Sequence, residues 1–511
     1  MPYLLAHDLG TSGNKATLYT TEGVLVASRV HHYDLLVTHG NWAEQRADDW
    51  WDAVCRTTRE LTETIDPAEI EAVSFSGQMM GCLCVDREGR PLRNAMIWAD
   101  MRASEQESRI RESISEREFY EITGHRISPS YSGFKLRWIK DNEPEVYRRT
   151  AVTLNAKDYM LYRLTGRFAT DPSDAGATCL YDLSNRCWSQ RMLELFELDR
   201  EKMPEVLEST ALVGPVSAEA ARQTGLLEGT PVICGGGDGP CSAVGTGCVR
   251  EGIANSCMGT SSWISMASRR PVTDENMTTV NFAHVVPGYV LPCGTIQSGG
   301  GSLHWAVSQL CTGERMLAEA EGRDVYERVA EAVRRSPVGA KGLLFLPHLI
   351  GERSPYWDPQ ARGAFLGLTL EHTLDDMLRA VMEGVALTLE MVLRAFQSHI
   401  PIEKLVVIGG GAKSPEWLQI FADVYGLPIQ RPNTLEEACS MGAAVIAGVG
   451  AGVFDDFSVA DRFFSIESSC QPSPERAKRY DALKPVYRQC FPLMQSTFHS
   501  LAQFQQGDDT L

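Results

Sequence analysis

The tripeptide Gly-Thr-Ser occurs twice in matching settings, once near the start of the chain and once just past its middle. The first copy is Gly10-Thr11-Ser12 and the second is Gly259-Thr260-Ser261. Glycine lets a backbone come close to an anion, and the hydroxyls and backbone N–H groups of such a turn can donate hydrogen bonds to phosphate oxygens. Two such turns predict a nucleotide held between two related halves.

The two copies differ in the residue that precedes the turn. Asp8 stands before the first turn, and Cys257 takes the corresponding place before the second. Asp8 has two interpretations: a turn residue that hydrogen-bonds its own backbone, or a carboxylate that orients Mg²⁺ beside phosphates. We favour the metal role and expect contact through water, because Mg²⁺ retains several of its waters.

Length and charge restrict the classes of protein that this chain can belong to. A chain of 511 residues is too long for one hydrophobic core and predicts two or more domains. A net charge of −18 argues against nucleic acid or an anionic membrane as a partner, although it does not exclude ATP. No apolar run has the length of a transmembrane helix, and the scattered cysteines favour a reducing compartment. We therefore expect a cytoplasmic protein.

Strands alternate with helices along the chain, which favours an α/β architecture. A glycine turn between two strands, as at residues 3–19, is the entry motif of the actin-like ATPase folds. The clearest helix has apolar residues at helical spacing over 374–396. The repeat sets a domain boundary near residue 250, so we predict an N-terminal domain over 1–250 and a C-terminal domain over 251–511.

Asp238 is the strongest candidate for a catalytic group. It follows a predicted buried strand and the run Gly235-Gly236-Gly237, which places a carboxylate at the end of a strand with open backbone around it. Phosphoryl transfer mainly requires that the accepting hydroxyl be positioned and its proton accepted, and a carboxylate suits that task. The alternative is an aspartate that caps the following helix or closes a tight turn.

Two long segments carry a family resemblance. Residues 130–142, read as SYSGFKLRWIKDN, fit the N-domain signature of the FGGY family of carbohydrate kinases. The stretch from Gly363-Ala364-Phe365 through Asp376-Met377 to Glu383 fits its C-domain signature. The chain resembles this family over nearly its whole length, and within it the xylulokinases most closely.

The resemblance implies an α/β fold of two actin-like ATPase (ribonuclease H-like) domains with an interdomain cleft. It implies a sugar in the N-terminal domain and ATP, with Mg²⁺, mainly in the C-terminal domain, and it makes Asp238 the catalytic base, with Asp8 as its catalytic partner at the metal. A homodimer is common in the family. The expected ATP-binding residues are Gly10, Thr11, Ser12, Gly259, Thr260, Ser261, Gly300, His304, Gly410, Gly411 and Ala412.

The expected sugar pocket departs from the xylulokinase pattern. Its predicted residues are Gln78, Met79, Met80, Asp100 and Asp238. Met80 stands where xylulokinases usually have a histidine, and Gly239 stands where they usually have an asparagine; both usual residues contact the sugar. The loss of such groups can change selectivity by orders of magnitude. Alternatively, the methionines only fill the core, and Asp100 pairs with Arg102 to hold a loop.

The predicted reaction is transfer of the γ-phosphoryl group of ATP to D-xylulose, which gives D-xylulose 5-phosphate. The alternatives are a kinase for another ketopentose, a polyol or a modified sugar, and a sugar sensor without turnover. Asp8 and Asp238 together argue against the sensor. Glu352 and Arg353 could be catalytic charges, but we favour a salt-bridged loop near the hinge between the halves.

Overall fold

The structure is a computed structural model that describes residues 1–508, so residues 509–511 of the second predicted domain lie outside the described residues. The strands of the first half are β1 Tyr3–Leu9, β2 Gly13–Thr20, β3 Leu25–His32, β4 Leu36–Thr38, β5 Trp42–Gln45, β6 Ile70–Gly77, β7 Leu83–Val85, β8 Ala95–Met96, β9 Val152–Leu154, β10 Ala169–Thr170, β11 Tyr181–Asp182, β12 Cys187–Trp188, β13 Glu205–Val206, β14 Leu212–Pro215, β15 Pro231–Ile233 and β16 Gly236–Gly237. Its helices are α1 Ala47–Thr62, α2 Ser104–Ser113, α3 Glu116–Thr123, α4 Ser132–Asn142, α5 Pro144–Arg149, α6 Ala156–Thr165, α7 Pro172–Gly176, α8 Gln190–Leu195, α9 Ala218–Thr224 and α10 Asp238–Gly245.

The second half contains fewer and longer elements. Its strands are β17 Ile253–Met258, β18 Ser262–Met266, β19 Val280–Ala283, β20 Val290–Ile296, β21 Leu344–Leu346, β22 Ala364–Leu366, β23 Lys404–Ile408, β24 Ile429–Pro432 and β25 Ile466–Cys470. Its helices are α11 Gly300–Leu310, α12 Thr312–Glu321, α13 Val325–Arg335, α14 Leu374–Gln397, α15 Pro415–Tyr425, α16 Ala438–Gly450, α17 Ala460–Phe463 and α18 Pro474–Asp508. Within residues 1–508, none of the helices combines the length and apolar character needed to cross a bilayer.

Each half is built around a mixed sheet of the same plan. The first sheet runs in the order β14-β15-β6-β1-β2-β3, with β16 also paired to β6, and the second runs β19-β20-β18-β17-β23-β24-β25. In each sheet an antiparallel hairpin, β1–β2 or β17–β18, carries one Gly-Thr-Ser turn. The first strand of each hairpin then pairs in parallel with a later strand, β6 or β23. The predicted α/β class and the relation between the halves are confirmed.

Helix α14 confirms the helix predicted from the apolar pattern. It starts after a capping box, in which the backbone N–H of Thr373 donates to a carboxylate oxygen of Asp376 at 2.9 Å. Buried residues then follow at helical spacing to Phe396, and they belong to the main core of the second half.

Helix α16 ties the two halves together. It comes from the second half of the chain, yet it packs on β1 and β6 of the first sheet and crosses α10. The crossing is close because a Cβ on Gly245 would lie 2.0 Å from the Ala438 carbonyl oxygen, and one on Gly442 would lie 1.9 Å from that of Cys241. The core beneath the first sheet therefore contains residues from both sides of the predicted boundary.

Candidate active site

Two aspartates lie at the same edge of the first sheet. Asp8 is near the end of β1, opposite Ser76 of β6, and the Ser76 hydroxyl donates to Asp8 Oδ1 at 3.0 Å. Strand β16 pairs with the other side of β6, and Asp238 follows it directly as the first residue of α10. Because β6 is flanked by β1 and β16, the fold brings together two carboxylates that are separated by more than 200 residues in sequence.

Burial raises the pKa of both carboxyl groups, and for Asp238 the charge of Asp8 adds to that rise. Burial raises the pKa of Asp238 to about 7, and the charge of Asp8 contributes in the same direction. Burial also raises the pKa of Asp8, although the hydrogen bond from Ser76 and the charge of Lys15 oppose that rise. A carboxylate with a pKa near neutrality is well matched to accepting a proton from a hydroxyl.

Asp238 opens onto a cavity of about 210 Å³ between the two halves. At roughly 30 Å³ per water, this volume holds about seven waters or one small sugar. Residues of the first half that line it are Met79, Met80, Trp98, Ser128, Ser130, Tyr131, Asp238, Gly239 and Pro240. Residues of the second half are Ser261, Trp263, Ser265, Val280, Phe282, Leu291, Cys293, Thr295, Arg353 and Trp357. Hydroxyls and indole rings dominate its surface, as in sites that hold a polar ligand against apolar faces.

Met80 is held in an unusual backbone conformation on the cavity wall. Its φ is 62°, in the left-handed region that few side chains adopt. The buried ammonium group of Lys135 donates to the Met80 carbonyl at 2.7 Å and to the Ser130 carbonyl at 2.5 Å, so it joins two lining segments. Burial lowers the pKa of Lys135 to about 7. A Cβ on Gly239 would meet nothing within 4 Å. Met80 and Gly239, the two positions that depart from the xylulokinase pattern, therefore both lie beside the open space of the cavity.

Gln78 and Asp100 do not line this cavity, and their contact with the sugar stays a prediction. The Gln78 amide donates to Gln45 Oε1 at 2.7 Å, and the Gln45 amide donates in turn to the Thr11 carbonyl at 2.6 Å. Asp100 accepts from Arg102 at 2.6 Å and from the Ala43 backbone at 2.8 Å. Both side chains are buried and hold loops, and for Asp100 this is the alternative that pairs it with Arg102.

The first Gly-Thr-Ser turn borders the cavity indirectly. The indole N–H of Trp98, which lines the cavity, donates to the Thr11 hydroxyl at 2.9 Å. The Gly10 N–H donates to the Gly13 carbonyl at 3.0 Å and closes the turn. Gly10, Thr11 and Ser12 do not themselves line this cavity, nor do they line the larger cavity of the second half.

A larger cavity of about 750 Å³ lies in the second half. Of the predicted ATP-binding residues it is lined by Gly259, Thr260, Gly300, His304, Gly410 and Gly411. Ala412 is buried behind the loop, and Ser261 faces the smaller cavity. The Gly300 N–H donates to the Gly259 carbonyl at 2.8 Å, so the second turn and the start of α11 pack backbone to backbone. The turn 259–261 thus lines both cavities.

Glu352 and Arg353, which are expected on a salt-bridged loop, do not pair with each other. Glu352 is buried and accepts from His348 at 2.7 Å and from the Gln297 backbone at 2.8 Å. Arg353 instead lines the cavity of Asp238. No carboxylate of the part of the chain that the structure describes lies within ion-pair distance of its guanidinium group.

Other lining residues were not predicted at all. Trp263 and Trp357, with Tyr131, reach the cavity from three distant segments, and Tyr131 even lies inside the N-domain signature. Aromatic residues have no spacing that distinguishes a cavity wall from a core, so the sequence offered no signal for them.

The two aspartates offer the oxygen donors that Mg²⁺ takes. Two adjacent carboxylates whose charges repel each other would be stabilised by a cation between them or nearby. Among the described residues, no group of three or more His, Cys, Asp or Glu side chains is arranged to hold a metal. The donor set therefore fits a cation that keeps water and phosphate ligands, and does not fit one enclosed by protein groups.

Two family models together match most of the chain. The model of the N-terminal domain of the FGGY family of carbohydrate kinases matches residues 3–245, and the model of its C-terminal domain matches residues 254–451. The chain belongs to the FGGY family of carbohydrate kinases. It is therefore a sugar kinase, and kinases of this family use ATP as co-substrate.

Relatives named for two different activities resemble this FGGY kinase. The xylulose kinase of Bacillus subtilis is 31% identical over 511 residues, 99% of this chain and 100% of the relative. The gluconokinase of the same organism is 29% identical, and the match covers 99% of this chain and 98% of the length of the gluconokinase. The crystal structure of ligand-bound xylulose kinase from Lactobacillus acidophilus superposes with a TM-score of 0.92 at 27% identity, covering 98% of this chain and 100% of its own. The fold of two actin-like domains is thereby confirmed.

Proposed function

We propose that this kinase transfers the γ-phosphoryl group of ATP to a hydroxyl of a small sugar bound beside Asp238. One observation carries the proposal: the turn 259–261 lines both the 750 Å³ cavity and the 210 Å³ cavity. A nucleotide in the larger cavity would extend its phosphates along that turn toward the hydroxyl in the smaller one. This arrangement is what an in-line transfer between two bound molecules requires.

Each predicted catalytic residue has a distinct task in this proposal. Asp238 accepts the proton of the attacking hydroxyl, because its pKa of about 7 allows it to be ionised before transfer and protonated after it. Asp8 would hold Mg²⁺, mainly through water, beside the phosphates. When bound, the ion neutralises charge on the transferred phosphoryl group and on the leaving diphosphate.

D-Xylulose is the first candidate substrate. It is supported by the xylulose kinases among the relatives and by the cavity volume, which suits a pentose-sized molecule. Met80 and Gly239 leave two places in the wall without a polar side chain, so another ketopentose, a polyol or a modified sugar is retained as an alternative.

A sugar acid is a second candidate, and Arg353 is the observation that favours it. Its guanidinium group lines the cavity without a carboxylate partner among the described residues. A substrate carboxylate would supply that partner through a charge-assisted hydrogen bond. The gluconokinase among the relatives agrees with this possibility.

A substrate panel with three enzyme forms tests the proposal. ATP consumption is measured with D-xylulose, other ketopentoses, pentitols and aldonates for the wild type, Asp238→Asn and Asp52→Asn. Asp52 is exposed on α1 and serves as the control for loss of one carboxylate. We expect one compound to stimulate ATP use severalfold, and Asp238→Asn to lower kcat about 10²–10⁴-fold. If sugar and ATP both bind without turnover, the chain is a sensor and the proposal fails.

A further inference from the structure

The backbone immediately before Asp238 is anchored by a buried serine. The Gly237 N–H donates to Ser173 Oγ at 2.9 Å, and the Ser173 hydroxyl donates to Asp171 Oδ2 at 2.6 Å. Because the hydroxyl proton is directed at Asp171, an oxygen lone pair of Ser173 faces the Gly237 N–H. The chain of hydrogen bonds therefore has one direction, from Gly237 to Ser173 to Asp171.

Asp171 is fixed on every side. It accepts the backbone N–H of Ser173 at 3.0 Å and so caps α7, and it accepts the Ser209 hydroxyl at 2.8 Å. Its other oxygen lies 3.1 Å from the Lys157 ammonium group. Burial alone would lower the pKa of Lys157, but Asp158, Asp171 and Asp174 raise that pKa well above its usual range, so Lys157 is charged. Together with the Ser173 hydroxyl, these contacts give the Asp171 carboxylate four partners, so it moves little.

The segment that it holds has no side chains of its own. Gly235, Gly236 and Gly237 precede Asp238, and glycine is the most flexible residue in a chain. Larger residues do not fit, because a Cβ on Gly236 would lie 2.3 Å from a methyl group of Val285. Without side-chain packing, the backbone that enters Asp238 is held by the ladder bonds of the two-residue strand β16, by the Gly235 N–H, which donates to the Ser209 carbonyl at 2.9 Å, and by the Ser173 contact, which is the nearest of the three to Asp238. On its other side Asp238 continues into α10, which packs on α16.

We propose that Asp171 and Ser173 form a positioning relay that fixes the Asp238 carboxylate relative to the attacking hydroxyl. Both side chains are fully buried and neither lines the cavity, so they act through the backbone of Gly237 and never touch substrate. The inference rests on the proposed role of Asp238 as the base. A displacement of a reacting group by about 1 Å can lower the rate by as much as 10²-fold, so loss of the Ser173 contact should lower kcat.

Ser209 provides a matched control for Ser173. Each hydroxyl is buried and donates to the same oxygen, Asp171 Oδ2, at 2.8 Å and 2.6 Å respectively. Only Ser173 also accepts a hydrogen bond from Gly237. Ser173→Ala and Ser209→Ala therefore remove similar interactions from Asp171, while only Ser173→Ala releases the backbone before Asp238. Ser173→Ala should lower the melting temperature more, because it also leaves the buried Gly237 N–H without its acceptor.

The expected result is a separation of kcat from KM. Ser173→Ala should lower kcat about tenfold with both KM values within about twofold, and Ser209→Ala should leave kcat within about twofold. The acidic limb of the kcat/KM pH profile should move for Ser173→Ala alone, because the surroundings of Asp238 change. Ser173→Cys keeps a weak acceptor and should give an intermediate kcat, which also serves if the alanine variant does not fold.

The outcomes distinguish this inference from the proposed function. The relay is overturned if the Ser173 and Ser209 variants lose kcat equally, or if their losses vanish after correction for the folded fraction. If Asp238→Asn is inactive at the same time, the proposed role of Asp238 as the base still stands. An Asp238→Asn variant with near-wild-type kcat removes the base, and a panel without any phosphorylated sugar removes the kinase reaction; each of these results overturns the relay as well.

Discussion

The raised pKa of Asp238 predicts a stability cost that depends on pH. Its folded-state pKa rises from 3.8 to about 7, so between these values the folded protein binds a proton that the unfolded chain has released. Stability therefore falls as the pH rises through this window and levels off above it. At 1.36 kcal/mol per pKa unit, the full cost is about 4 kcal/mol.

Replacement of Asp238 by asparagine should remove this cost. The linkage relation gives a gain of roughly 2 kcal/mol at about pH 5 and roughly 4 kcal/mol at about pH 8.5. The pH-independent effect of the amide cancels in the difference, so the gap in unfolding free energy between variant and wild type should widen by roughly 2 kcal/mol. The variant should also lose kinase activity, because we propose the same carboxylate as the base that accepts the proton of the sugar hydroxyl.

Urea denaturation of both proteins at the two pH values measures this gap, with the exposed Asp52→Asn variant as the control. Asp52→Asn should show the same small difference from wild type at both pH values. A gap for Asp238→Asn that is equal at the two pH values would refute the reasoning, because it would mean that the Asp238 carboxylate is not destabilised by burial and by Asp8.

Three further predictions concern activity and binding. For the wild type, kcat/KM should fall about tenfold per pH unit below pH 7, as Asp238 becomes protonated, and a flat profile down to about pH 5 would exclude it as the base. Gly410→Ala should leave the melting temperature unchanged, because its Cβ meets nothing within 4 Å, and should raise the KM for ATP severalfold if the nucleotide contacts this loop. The control is Gly313→Ala on α12, whose Cβ also meets nothing within 4 Å. Met80→His should raise kcat/KM for D-xylulose relative to other substrates, because it introduces the residue that xylulokinases usually have here. The backbone φ of 62° is equally unfavourable for methionine and histidine, so backbone strain should not distinguish the two proteins. An unchanged ratio would leave Met80 as a core residue.

Much of the fold could be predicted because local sequence specifies it. Helix α14 has an apolar stripe and a capping box, and β1 and β23 are apolar segments that end at glycine turns. The interpenetration of the halves could not be predicted. Helix α16 packs on the first sheet because Gly245 and Gly442 allow two helices to touch, and nothing in either glycine identifies its partner 197 positions away.

The candidate site divides in the same way. Asp8 and Asp238 could be proposed because each stands at a strand end next to glycines. Gln78 and Asp100 have equally suitable chemistry, but packing directs the Gln78 amide N–H to Gln45 and pairs Asp100 with Arg102, so neither side chain lines the cavity. A salt-bridged loop is predicted for Glu352 and Arg353, but only the structure shows that Glu352 contacts His348 and that Arg353 lines the cavity.

By itself the sequence determined the repeated Gly-Thr-Ser turns and the α/β class and pointed to the two candidate aspartates, because glycine turns and apolar periodicity are local properties of the chain. The tertiary structure decided what the turns do. The second turn faces two cavities, and the first is reached through Trp98. It also decided the pKa of Asp238 and the anchor beneath it, since burial, the charge of Asp8 and the Ser173 contact all come from segments that meet only when the chain folds.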